Sequence, residues 1–141
     1  MSHIAGVDLG TTFSVISYLN KMGRPEIIPN ADGERIMPSA VYFESDSKDP
    51  QVGLEAFHSR YDPKGKSVTG IKRKISDDSY KVVINNETFT PAKISSFILK
   101  KLHQGAQQQI GPFSDVVLLS FIFLFFLYVY YLSQRHREHR E

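Results

Sequence analysis

Asp8-Leu9-Gly10-Thr11-Thr12 places a carboxylate, a glycine and two hydroxyls on one short stretch near the start of the chain. A tight turn of this composition offers backbone N–H groups and hydroxyls to whatever sits above it, a surface that suits oxyanions such as phosphate. Glycine allows the turn geometry and leaves room for a ligand to come close. Asp8 adds one hard carboxylate, as a magnesium ion bound to phosphate requires. The same letters also spell an ordinary hairpin with Asp8 capping its turn. A second polar cluster is Lys72-Arg73-Lys74; three basic residues in a row usually mean a solvated face.

These residues need elements to hold them. Ile4 to Leu9 and Phe13 to Leu19 read as two strands, too close for anything but a hairpin through Gly10-Thr11-Thr12. Lys21 to Pro25 is a turn, Glu26-Ile27-Ile28 a short strand, Pro29 to Arg35 a loop and Pro38 to Phe43 a strand. Gln51-Val52-Gly53 ends a strand, Leu54 to Arg60 reads as a short helix, and Tyr61 to Ser67, with Pro63 and Gly65, as a loop. Lys81 to Ile84 and Glu87 to Phe89 flank Asn85-Asn86 as a hairpin. Thr90 stands as an N-cap with Pro91 in the first helical position. Ile94, Phe97, Ile98, Leu102, Ala106 and Ile110 then recur at three- and four-residue steps as one apolar helix face, and Gly111-Pro112 ends it. That stripe is core packing. Asn86-Glu87-Thr88 matches a glycosylation sequon by letter alone.

The chain has 141 residues, room for about one small domain. Its net charge of +2 gives no reason to expect nucleic acid, and the absence of cysteine excludes a disulfide framework or thiolate metal site. No basic stretch followed by an apolar core marks a signal peptide at the start. The mixed composition ends near Asp115. Val116 to Leu132 is almost wholly apolar, at the short end of the length that spans a bilayer as a helix, with Tyr128, Tyr130 and Tyr131 where an interfacial belt would lie. Residues 133–141 are charged.

Asp8-Leu9-Gly10-Thr11-Thr12 resembles the first phosphate loop of the actin, hexokinase and heat-shock ATPase superfamily. Later segments narrow the resemblance to the heat shock protein 70 (DnaK-type) chaperone family: Asn30 to Ser39, with Arg35 three residues ahead of Pro38-Ser39; Val52-Gly53-Leu54-Glu55-Ala56; Ile71-Lys72-Arg73; and the long helix opening at Pro91. Asp115-Val116-Val117 resembles the start of the family's next strand. After Lys72-Arg73 the chain departs from the family pattern, with Lys74-Ile75-Ser76-Asp77 in place of an apolar residue, Ile, Gly and Arg.

The resemblance implies an ATP-binding chaperone whose cofactors are ATP and magnesium. Asp8 would act on the metal through water, Gly10, Thr11 and Thr12 would hold the β- and γ-phosphates, and Lys72 would be the catalytic lysine that serves the γ-phosphate and the attacking water. ATP and ADP, unfolded clients and co-chaperones are the partners it implies. The expected fold is α/β: part of an actin-like (ribonuclease H-like) ATPase lobe over residues 1–115, with a mixed sheet and one long helix. It is followed by an apolar transmembrane helix at 116–132 and a charged tail at 133–141. The second phosphate loop, further carboxylates and adenosine clamp of the family have no counterpart after Val117, so hydrolysis by this stretch alone is not expected. The N-terminal part would be cytoplasmic, anchored to membrane by the apolar segment. Two rival readings are a non-enzymatic membrane-anchored fragment and the product of a truncated or frameshifted reading frame. A sugar-kinase relative fits less well around Arg35 and Lys72.

Overall fold

The computed structural model describes residues 4–47, 49–113 and 115–119. Strand β1 (Ile4–Leu9) and β2 (Phe13–Leu19) form the expected hairpin, with Asp8 opposite Val15 and Leu9 opposite Ser14. Ala5, Val7 and Leu9 of β1 are buried, as are Ser14 and Ile16 of β2, so alternate residues face the core as a strand's two-residue period requires. Gly6 and Asp8 fall on the other face. Strand β3 (Pro25–Ile27) pairs antiparallel with β2, and β4 (Met37–Pro38) pairs with the start of β2.

After Ser39 the chain enters a second sheet. Its strands are β5 (Ala40–Glu44), β6 (Gln51–Val52) and β7 (Gly65–Thr69), with β5 in the middle. The sequence reading misses β7, taking Tyr61 to Ser67 as loop. Gly65, Lys66 and Ser67 carry no strand propensity; they are held extended by pairing with Glu44, Phe43 and Tyr42. The helix expected over Leu54 to Arg60 is shorter: α1 (Leu54–His58) tightens into a 3-10 turn at Ser59–Tyr61. A second 3-10 helix, Ile71–Lys74, follows β7, and β8 (Val82–Ile84) and β9 (Glu87–Phe89) make the hairpin through Asn85-Asn86, both at positive φ.

Helix α2 (Pro91–Ile110) starts as its sequence indicates: Thr90 Oγ1 accepts a hydrogen bond from the Lys93 N–H at 3.2 Å, and Pro91 sits in the first turn. Ile94, Ile98, Leu102 and Ala106 pack into one core with Val7, Leu9, Ile16, Val41, Val68 and Ile71. Ile94 and Ile98 are fully buried, each contributing about 1.5–3 kcal/mol by leaving water. Phe97 closes a ring cluster with Phe43 and Phe89.

Strand β10 (Asp115–Leu119) lies parallel to β1, with Ile4 opposite Asp115 and Asp8 opposite Leu119. The main sheet therefore runs β10-β1-β2-β3, with β4 also on β2, a mixed sheet with one long helix in an α/β fold. Here the apolar-helix expectation is corrected at its start. Val116 to Leu119 are strand, because β1 gives their backbone groups partners that a run of apolar letters does not reveal. The remainder of that expected helix and the charged tail lie outside the described residues. No helix among the described residues is long and apolar enough to cross a membrane.

Candidate phosphate site

The turn after β1 is narrow for a definite reason. A Cβ added to Gly10 would stand 1.9 Å from the Phe13 carbonyl oxygen, so only glycine lets the chain reverse this tightly. Asp8, next to last in β1, lies on the face opposite Val7 and Leu9. Its Oδ1 is shielded from solvent and accepts no hydrogen bond. Thr11 is half-buried and Thr12 exposed on the turn itself.

The second half of the site arrives from the other sheet. Strand β7 ends at Thr69, and Gly70 adopts the left-handed conformation (φ 65°) that turns the chain into the 3-10 helix bearing Lys72. A Cβ on Gly70 would be 3.9 Å from Thr11 Cγ2, so this bend lies beside the Gly10–Thr12 turn. Ile71, 2% exposed, plugs the helix into the core. Lys72 Nζ then reaches 3.8 Å from Asp8 Oδ1, an ion-pair distance too long for a hydrogen bond. The departure from the family pattern after Arg73 does not remove this support. Lys74 lies over the Tyr80 ring at 5.3 Å, and backbone bonds from Arg73 to Gly70 and from Asp77 to Lys74 close the turns.

Lys72, 60 residues further along the chain, therefore meets the Asp8–Thr12 stretch at one place. Arg35 does not join them. It lines a separate cleft of about 300 Å³ between the 28–37 loop and α2, together with Ile36, Leu54 and Lys101. Two residues that sequence reasoning did not single out also touch the site. Gly70 has no motif of its own, and Ser39 appears only as part of Pro38-Ser39; the backbone bond from its N–H to the Thr12 carbonyl, 2.8 Å, could not be read from letters.

The donor set suits magnesium held at second hand. Asp8, whose side chain is 13% exposed, is the carboxylate beside the turn that a metal-bound water could reach, and among the described residues no group of three His, Cys, Asp or Glu gathers to hold a cation directly.

Residues 4–120 match the family model described as Hsp70 protein. The chain belongs to the Hsp70 family. It is 44% identical over 108 residues to the Chaperone protein DnaK of Thermotoga neapolitana, an alignment covering 77% of this chain and 18% of that relative. It is 43% identical over 108 residues to that of Thermotoga maritima and 41% over 109 to that of Thermosipho africanus, with the same coverage. The chain thus spans about 18% of the length of the Hsp70 relatives it matches.

Proposed function

We propose that this chain carries the first phosphate-gripping wall of an Hsp70-type ATP site. The observation that supports it is the convergence of Lys72 and Asp8, 3.8 Å apart, beside the Gly10–Thr12 turn. In this reading Thr11, Thr12 and the turn's N–H groups donate to the β- and γ-phosphates, and Lys72 lays its ammonium toward the γ-phosphate and the attacking water. Asp8 accepts a hydrogen bond from water on the metal; magnesium, when bound, neutralises phosphate charge. Phosphoryl transfer depends on fixing nucleotide, metal and water together, and these five residues grip from one side only. Binding by this chain alone is weak and turnover does not exceed background. Client proteins, co-chaperones and a cytoplasmic setting belong to this reading by family analogy, and the lobe runs through Leu119 instead of ending at Asp115.

The test is a titration of the isotope-labelled chain with magnesium and ATP, followed by amide NMR. Shifts concentrated at Gly10 to Thr12 and at Lys72, saturating only at millimolar nucleotide, are expected. Shifts confined to the cleft beside α2, or none at all, overturn the assignment.

A further inference from the structure

Ser39 belongs to neither sheet and joins both. It follows β4, which pairs with β2 through Phe13 opposite Pro38, and precedes β5, whose first residue Ala40 pairs with Thr69 at the end of β7. Its N–H donates to the Thr12 carbonyl at 2.8 Å. Its Oγ shares a 2.8 Å hydrogen bond with Ser14 Oγ, in a place where Ser14 is fully buried and Ser39 is 2% exposed. On one side of Ser39, then, lies the turn with Thr11 and Thr12. On the other, one strand pair away, are Thr69, Gly70 and Lys72.

We propose that Ser39, locked by Ser14, is a positioning residue that sets the phosphate turn against the Lys72 helix. Resting on the reading above, it names the part that holds the two halves in register. The physical case is that a hydroxyl pair in a dry setting has no water to replace a lost partner. The pair fixes the Ser39 backbone, and that backbone touches Thr12 directly and the Lys72 segment through Ala40 and Thr69. A buried serine pair kept only for packing would have no reason to sit at the sole residue between β4 and β5.

The experiment compares Ser39→Ala, Ser39→Thr and the double variant S14A/S39A in the full chain without nucleotide. It reads urea stability together with amide shifts and order parameters at Gly10–Phe13 and Gly70–Arg73. Ser39→Ala leaves the Ser14 hydroxyl orphaned and is the least stable. The double variant removes both hydroxyls and regains most of that stability. Positioning requires that in the double variant both distant stretches still shift together, and that order parameters at Thr11 and Thr12 fall by about 0.1 or more from the ~0.85 of rigid backbone. Ser39→Thr keeps the hydroxyl and restores the wild-type shifts. If the double variant matches wild type at both stretches, the pair only packs and the proposal is wrong. Since no nucleotide is present, failure to bind ATP would count against the proposed function and leave this result standing.

Discussion

Lys72 Nζ stands 3.8 Å from Asp8 Oδ1, although Asp8 lies in β1 of the main sheet and Lys72 in the 3-10 helix that follows β7 of the second. The lysine side chain is 35% exposed and the two charged atoms are too far apart to hydrogen-bond, so the pair's worth to the fold is about 1 kcal/mol or less. Its value is geometric: an ammonium and a carboxylate brought together beside the Gly10–Thr12 turn.

Lys72→Ala should therefore lower stability by no more than about 1 kcal/mol in urea unfolding. It should also leave ATP hydrolysis unchanged, because in the reading proposed above the wild-type chain turns over at background. Steady-state phosphate release from both proteins is the measurement. Hydrolysis by wild type that disappears in the variant would show a complete site, built with a second chain, and would refute the one-sided reading.

Two glycine substitutions should act in opposite directions. Gly10→Ala pushes a methyl into the Phe13 carbonyl, 1.9 Å away, and should cost about 1–3 kcal/mol. Gly105→Ala, inside α2 with nothing within 4 Å of the new Cβ, should raise stability by about 1 kcal/mol. Thermal or urea midpoints of the two variants decide it; a neutral Gly10→Ala would mean the turn is looser than the structure shows.

Tyr42 adds to the loss of stability at alkaline pH. Burial raises its phenol above the usual 10.0, and the charges of Asp62 and Glu44 add to this. The folded form thus holds the proton more tightly than the unfolded one. Its contribution is intact below pH 10 and is lost as pH rises from there through the folded value. Tyr42→Phe should flatten the decline in stability above pH 10. An identical alkaline limb in the variant would remove Tyr42 as the cause.

The hairpin of β1 and β2, the Thr90 cap and the α2 stripe were legible because each is written in local spacing. The turn at Gly10 to Thr12 was legible for the same reason; the phosphate role of its residues and of Lys72 comes from the family resemblance and belongs to the proposal above. What stayed hidden depends on distant partners. Lys66 and Ser67 become strand only against Phe43 and Tyr42. Ser39 gains its role only when Thr12 and Ser14 arrive. Val116 to Leu119 look like the start of a membrane helix until β1 lies beside them.

That last pairing has its own test. Strand and membrane helix compete for Val116–Leu119. With those residues in the sheet, the apolar letters left at 120–132 would reach only about 20 Å as a helix, against a hydrocarbon core of about 30 Å. The chain should be released from membranes by carbonate extraction. Retention in the pellet, with Val116 and Val117 protected from aqueous labelling, would favour the helix over β10.

The β1–β10 register also fixes an order of events during synthesis. Ile4 and Asp115 are neighbours in the sheet yet lie more than a hundred residues apart in the chain. At translation rates of about 5–20 residues per second, β1 waits on the order of 5–20 s outside the ribosome before its parallel neighbour is made. Meanwhile β2, β3 and β4 can assemble on one side of β1, but the edge of β1 that β10 will cover stays open, a row of unpaired backbone groups. The free edge of β1, beside the turn bearing Thr11 and Thr12, is thus closed only when β10 arrives, and until then another chain's strand can pair there in its place.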